Sequence, residues 1–376
     1  MVKKVNAVLG HAAEEVRNLS PYQPGRPVAE VAAERGLSDV VKLASNENPL
    51  GAGEAALRAL RELSPEAVSR YPDGGCNALR DAVAARLNVS PNNLIFGNGS
   101  NEILELAASL VLTPGAAAVY SRYAFAVYKL AAAAKRARGI AVASENFAHD
   151  LDAIAECAAA EKARLIFIAN PNNPTGSWHA PDAVARFIEK IPADILVVLD
   201  EAYREYVDGE NKLAAAQFSE EFPNLLTTRT FSKVHGLAGL RVGFGIGAPE
   251  LIAMLNRIRQ PFNLGGAAQA AALAAWGDEK HVSRSVKMNR EGMKQIIAGL
   301  EKLGVQYLSS RANFITFNAK DAECAARLYE GFLDAGVIVR PLAGYEMPAF
   351  LRVSIGVESE NARFLRELER LWTERT

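Results

Sequence analysis

Six short β-branched or apolar runs, at residues 116–120, 140–143, 164–169, 195–199, 225–230 and 242–246, constrain the middle of this chain more than any other feature. They are bounded by turn residues, and from Gly51 onward they alternate with helix-like stretches such as 54–63, 78–87 and 102–110. Strands that alternate with helices form βαβ units, so the pattern predicts an α/β fold with a mainly parallel central sheet and helices on both faces. After Gln260-Pro261 the pattern changes. A long helical stretch at 281–303 leads to strands near 313–317, 337–340 and 351–354 and helices at 324–333 and 360–372, which predicts a smaller α+β domain. At the other end, an amphipathic helix at 5–19 and the Pro-broken segment SPYQPGRP read as an arm. The expected division is therefore residues 1–45 as arm and part of the small domain, 46–275 as the large domain and 276–376 as the small one. A cleft between two such domains is where ligand sites commonly lie.

Composition excludes several classes of function. With 42 Lys+Arg against 43 Asp+Glu the formal net charge is −1, which gives no electrostatic basis for a nucleic-acid partner. Hydrophobic residues at 49% and charged residues at 23% are ordinary globular usage, which argues against disorder. Cys76, Cys157 and Cys324 are an odd number without C-x-x-C spacing, so neither a disulfide framework nor a metal site is expected. No secretion signal follows Lys3-Lys4, and the longest apolar tract, 264–276, is interrupted by Gln269 and too short to span a bilayer. No membrane association is expected, and the location expected is cytoplasmic.

Lys233, in TFSKVHGLAGLR, directly follows an apolar run ending at Thr230, so its amine emerges at the carboxyl end of a strand, where α/β sheets bind ligands. A lysine in a dry crevice can lose its proton and bond to a cofactor aldehyde; a lysine on the surface stays solvated. Asp200, in LVVLDEAY, ends a nearly all-apolar strand, where an unpaired carboxylate is expensive to bury. It is either a helix cap or ion pair, or the partner of a protonated ring nitrogen. NPNNPTG, residues 170–176, breaks another strand and offers asparagine amides, though Asn-Pro pairs also form ordinary turns. GNGSNE, residues 97–102, precedes a helix and reads as a phosphate cup or as a simple cap, with Arg241 as a forked cation for the same phosphate.

The order and spacing of these pieces carry more than each alone. NPNNPTG, DEAY and TFSK followed by LAGLRVG, with 27 residues from Asn173 to Asp200 and 33 from Asp200 to Lys233, resemble the aspartate-aminotransferase superfamily of fold-type I pyridoxal-phosphate enzymes. Within it the chain resembles most the histidinol-phosphate aminotransferase family, from YQPGRP through KLASNENPLG, SRYPDG, FGNGSNE and YAFAVY to LRVSIG. The resemblance implies that residues 46–275 bind pyridoxal 5'-phosphate. Lys233 would carry the Schiff base and act as general base, Asp200 would pair with the pyridine nitrogen, and Asn173 and Tyr203 would hydrogen-bond the phenolic oxygen. Tyr123 would stack on the ring, and Ser100, Asn101, Thr230, Ser232 and Arg241 would hold the phosphate. Tyr71 would reach the phosphate of a partner subunit's cofactor, which implies a homodimer. Arg352, Arg340, Tyr22 and Asn46 would bind substrate. The activity implied is exchange of an amino group between L-histidinol phosphate and 2-oxoglutarate, giving imidazole acetol phosphate and L-glutamate in histidine biosynthesis. An aminotransferase for aromatic amino acids, and a pyridoxal-phosphate lyase or decarboxylase of a phosphorylated amino acid, remain alternatives. A non-catalytic cofactor-binding module is disfavoured by the presence of Lys233.

Overall fold

The computed structural model describes residues 9, 11–19, 21, 24–144, 146–207 and 221–373. Its strands are β1 (Val41–Lys42), β2 (Leu94–Asn98), β3 (Ala117–Ser121), β4 (Arg138–Val142), β5 (Leu165–Ala169), β6 (Leu196–Asp200), β7 (Leu225–Thr230), β8 (Val242–Gly247), β9 (Tyr307–Leu308), β10 (Phe314–Asn318), β11 (Val337–Ile338), β12 (Arg340–Pro341) and β13 (Phe350–Ser354). Seven of them form one sheet in the order β2-β8-β7-β6-β5-β3-β4.

Strands β5, β6 and β7 are buried along their whole length because helices cover both faces, which is why their sequences show no polar alternation. Successive side chains still point to opposite sides. Leu165, Phe167 and Ala169 pack with Tyr128 and Leu104 in one core, whereas Ile166 and Ile168 pack with Phe187 and Val197 in the other. Pairing is parallel from β7 through β6, β5 and β3 to β4. Only β8 runs against its neighbours among the described strands of this sheet. Residues 231–241 between β7 and β8 are too few for the helical crossover that a parallel return needs, so the chain doubles back. Lys233 lies in that reversal, at the carboxyl end of β7.

The second sheet, β12-β13-β10-β9, is antiparallel. Its core holds Phe317, Val353, Leu328, Phe332 and Phe364, with Leu300 from the helix Glu279–Lys302 that runs from one unit to the other. Strand β1 pairs in parallel with β11, and Val31 of the helix Val28–Arg35 packs against Leu333 and Ile338. Residues 28–44 thus join the second unit, whereas the helix Glu14–Arg17 lies against the helix Ala126–Ala134 of the first, and the chain at 44–47 crosses between the two. Of the helix expected at 5–19, residues 5–8 and 10 lie outside the described residues, and a helix is present at Glu14–Arg17. The tract at 264–276 is a helix, Gly266–Gly277, buried through Ala268, Ala271, Ala272 and Trp276.

Candidate active site

A cavity of about 270 Å³ opens beyond the carboxyl ends of β5, β6 and β7, between the two sheets. Its wall brings together Asn46, Ser100, Asn101, Asn173, Asp200, Tyr203, Thr230, Ser232, Lys233, Arg241, Arg340 and Arg352, residues separated by up to 306 positions in the chain.

Asp200 is the last residue of β6, and the parallel register sets it beside Thr228 of β7. Its Oδ1 accepts a hydrogen bond from Thr228 Oγ1 at 3.2 Å and its Oδ2 accepts one from Tyr128 Oη at 3.0 Å. Burial pushes the acid up to about 6, while Tyr128, Thr228 and the Ala202 N–H pull the other way. The donors that reach this carboxylate among the described residues are thus all uncharged, and a cation is the partner it lacks.

Lys233 Nζ donates to the Ser45 carbonyl at 3.2 Å and stands 5.6 Å from the centre of the Tyr203 ring. Desolvation lowers its pKa to about 8; Arg352 and Arg241 add to the effect, and Glu47 and Asp200 oppose it. A neutral, nucleophilic amine is therefore accessible near neutral pH. Burial pushes the Tyr203 phenol up to about 12, so its hydroxyl remains a hydrogen-bond donor, and it accepts from Asn46 Nδ2 at 3.0 Å.

Next to Lys233 lies a cup suited to a phosphate. The helix Ser100–Val111 begins at the cavity wall, and the first N–H groups of a helix lack intrahelical acceptors. Arg241 Nη1 donates to Ser232 Oγ at 3.3 Å, and Ser232 N donates to Thr230 Oγ1 at 3.0 Å. Close approach here depends on missing side chains. A Cβ on Gly99, whose φ is +73°, would strike the Arg241 guanidinium, and one on Gly243 would strike Ser100 N.

Arg352 and Arg340 form the other cationic group. They sit opposite each other on the paired strands β13 and β12. Arg352 is buried, donates from Nη2 to the Ala44 carbonyl at 2.8 Å and from Nη1 to Asn173 Oδ1, and lies 5.1 Å over the Phe314 ring. Asn46, at φ +54°, is locked by Ser354 Oγ, which accepts from its backbone N at 2.8 Å and donates to its Oδ1 at 2.9 Å.

Two expected site residues, Tyr123 and Tyr71, are not in this wall. Tyr123 packs on Phe147 at 5.0 Å, beside Tyr345 and Met347, and Phe125 lines the cavity instead. The chain turns after β3, and Phe125 stands at the N-cap of the helix Ala126–Ala134, which brings its ring to the cavity. Tyr71 is 83% exposed and stacks on Phe262 at 4.7 Å. Tyr22 lies outside the described residues. Sequence reasoning missed Phe125, Tyr128, Thr228 and Ser45. The first of these is signalled only by sharing the SRYAFAVY segment, and the others look like core or loop.

The model of the family described as aminotransferase class I and II matches residues 38–368. The chain is 51% identical over 367 residues to the histidinol-phosphate aminotransferase of Methylobacillus flagellatus, covering 97% of this chain and 98% of that protein. It is 49% identical over 355 residues to histidinol-phosphate aminotransferase 2 of Nitrosospira multiformis, covering 94% and 90%. Among solved structures, the histidinol-phosphate aminotransferase of Sinorhizobium meliloti in complex with pyridoxal-5'-phosphate superposes with a TM-score of 0.89 at 25% identity, over 97% of this chain and 98% of that one. A mutant aspartate aminotransferase of Thermus thermophilus shares the fold, with a TM-score of 0.79 at 21% identity over 96% of this chain and 99% of that one. The α/β architecture expected from the sequence is thus the fold-type I architecture of these enzymes, and the chain belongs to the class I and II aminotransferase family.

Proposed function

We propose that this aminotransferase uses pyridoxal 5'-phosphate to exchange an amino group between L-histidinol phosphate and 2-oxoglutarate, giving imidazole acetol phosphate and L-glutamate, in histidine biosynthesis. The observation that carries the reading is the pairing, in one cavity, of a desolvated Lys233 amine with a buried Asp200 that lacks a cationic partner. The relatives named above support the substrate.

When bound, the cofactor supplies an aldehyde that bonds to amines and a cationic ring that takes up the electron pair left when a substrate carbon loses its proton. Asp200 answers the charge of the ring nitrogen. Ser100, Asn101, Thr230, Ser232 and Arg241 hold the phosphate, Asn173 and Tyr203 bind the phenolic oxygen, and Phe125 covers the ring. Lys233 Nζ takes a proton from the amino-bearing carbon of the substrate and redelivers it, which a group with a pKa of about 8 does efficiently near neutral pH. Arg352 and Arg340 offer two planar forks to the phosphate of one substrate and a carboxylate of the other. Asn46 orients Tyr203 and borders the substrate.

The reading extends to assembly and place. Exposed Tyr71 and Phe262, with Val68 nearby in sequence and 77% exposed, support a homodimer in which Tyr71 completes the partner's phosphate cup. The division at residues 46–275 and 276–376, with 1–45 as an arm and part of the small domain, makes the cavity an interdomain cleft. Among the described residues no helix is long and apolar enough to cross a membrane, and a cytoplasmic location is the one proposed.

The test is amino transfer from histidinol phosphate to 2-oxoglutarate, run beside phenylalanine at matched concentration. Turnover should require the oxo acid, favour histidinol phosphate and vanish in Lys233→Ala, and borohydride should fix the cofactor to the peptide carrying Lys233. A preference for phenylalanine, or release of carbon dioxide without the oxo acid, would replace this reading.

A further inference from the structure

Tyr128 is fully buried, yet it carries a hydroxyl into the core beneath the cavity. Its ring is clamped, stacked on Phe167 with centroids 4.6 Å apart and planes 2° from parallel, and edge-on to Phe125 at 6.0 Å. That clamp aims the hydroxyl at Asp200 Oδ2, 3.0 Å away. We propose that Tyr128 is a positioning residue for the reaction: its hydroxyl fixes Oδ2 of Asp200, as Thr228 fixes Oδ1, so that the carboxylate is presented ionised and in one orientation to the ring nitrogen. The proposal rests on the role given to Asp200 above.

A buried carboxylate without a cation is held in its charged form by hydrogen bonds or not at all. Tyr128 suits the task because burial and the neighbouring Asp200 push its phenol well above its ordinary range, so it stays a donor at every working pH. The other groups facing Asp200 do not replace it. Thr228 and the Ala202 N–H serve the same carboxylate, Glu201 repels it, and Lys233 is tied to the Ser45 carbonyl. Tyr203 donates nothing to Asp200 and interacts with it only through space.

The experiment is Tyr128→Phe, which keeps the ring stack and removes the hydroxyl. In cofactor-free protein, the infrared band of the protonated Asp200 carboxyl, identified by its loss in Asp200→Asn, is titrated. Its midpoint should rise by roughly one pH unit, an approximately tenfold change in the ionised fraction. In the loaded enzyme the acid limb of the kcat profile should rise with it, with kcat falling about tenfold below the midpoint and KM for the amino donor little changed. A second measurement covers a variant that folds poorly: 3-fluorotyrosine labelling in a Tyr203→Phe background makes the Tyr128 phenol a stronger donor and should lower the same midpoint. An unmoved midpoint in both overturns the role of Tyr128 alone. A moved midpoint with unaltered turnover overturns the placement of Asp200 in the reaction.

Discussion

Gly243→Ala should loosen the cofactor while leaving the fold intact. Gly243 is the second residue of β8, paired with Gly97 of β2 on one side and Thr230 of β7 on the other. A Cβ there would strike Ser100 N and would lie 2.5 Å from the Gly99 carbonyl carbon and 2.9 Å from the Arg229 carbonyl oxygen. Ordinary contact begins near 3.4 Å, so the backbone at 99–100 must retreat by about 1 Å, and a backbone has no rotamer with which to step aside. A shift of about 1 Å takes the Ser100 N–H out of hydrogen-bonding range of a phosphate oxygen. A hydrogen bond to a charged group contributes about 1.5–3 kcal/mol, so affinity should fall roughly 10- to 150-fold. The assay is absorbance titration of cofactor-free protein with pyridoxal phosphate, with thermal melting to confirm folding. Gly245→Ala, on the same strand, is the control: its new Cβ meets side chains, Ile103 Cγ2 and Ile95 Cγ2 at 3.1 Å, which can turn. It should bind within about twofold of the parent. A folded Gly243→Ala protein that binds as tightly as Gly245→Ala would refute the placement of the phosphate at Ser100.

Arg352→Ala should lower kcat/KM for both half-reactions by about 100-fold or more, whereas Arg340→Ala should cost histidinol phosphate roughly tenfold more than glutamate. Equal losses for the two substrates with Arg340→Ala count against the substrate assignment. Because the folded-state pKa of Asp200, about 6, lies above the ordinary 3.8, its stabilising share is complete below pH 4 and is lost as pH rises through 6. Asp200→Asn should therefore stabilise cofactor-free protein at pH 8, by on the order of 3 kcal/mol, and have little effect at pH 4, as read by denaturant melts. Co-expressed Lys233→Ala and Tyr71→Ala chains should form hybrid dimers with one complete site and regain activity that neither variant has alone. Mixing without recovery removes Tyr71 from the partner's site.

The strands were legible where burial on both faces made the sequence continuously apolar, as at Leu165–Ala169, which lies within one residue of where the sequence places it. β2 was not, because Leu94, Ile95 and Phe96 run straight into Gly97-Asn98 and become a strand only by pairing with β8, some 150 residues on. The helix Gly266–Gly277 is apolar all round and so shows no stripe to read. In the site, Lys233 and Asp200 were legible because each stands at the carboxyl end of a strand, Asp200 closing an apolar one and Lys233 following Leu225–Thr230. Arg340 and Arg352 were legible as residues of short strands, although only the β12–β13 register shows that they face each other. Tyr123 and Phe125 differ by two positions in a turn, and nothing local says which ring the turn sends into the cavity. Tyr128 is harder still: a tyrosine on an apolar helix face reads as core, and its partner is 72 residues away.

The two groups on which the chemistry depends both have their pKa values shifted from the ordinary, in opposite senses, and they do not neutralise each other. Burial raises the acid of Asp200 and lowers the amine of Lys233, a combination that an ion pair between them would reverse. Among the described residues no such pair forms. The Ser45 carbonyl takes the Lys233 ammonium, and Tyr128 and Thr228 take the Asp200 oxygens. Holding the charges apart makes the cavity less stable than one with a paired acid and amine, and leaves each group without its complement. A ligand that brings a cationic nitrogen to the acid and an electrophilic carbon to the amine supplies both complements at once. Thr228 and Tyr128, the uncharged side chains that hold Asp200, therefore matter as much as the acid they hold: replacing one of them with a cation would satisfy the acid from within and close the site to the cofactor.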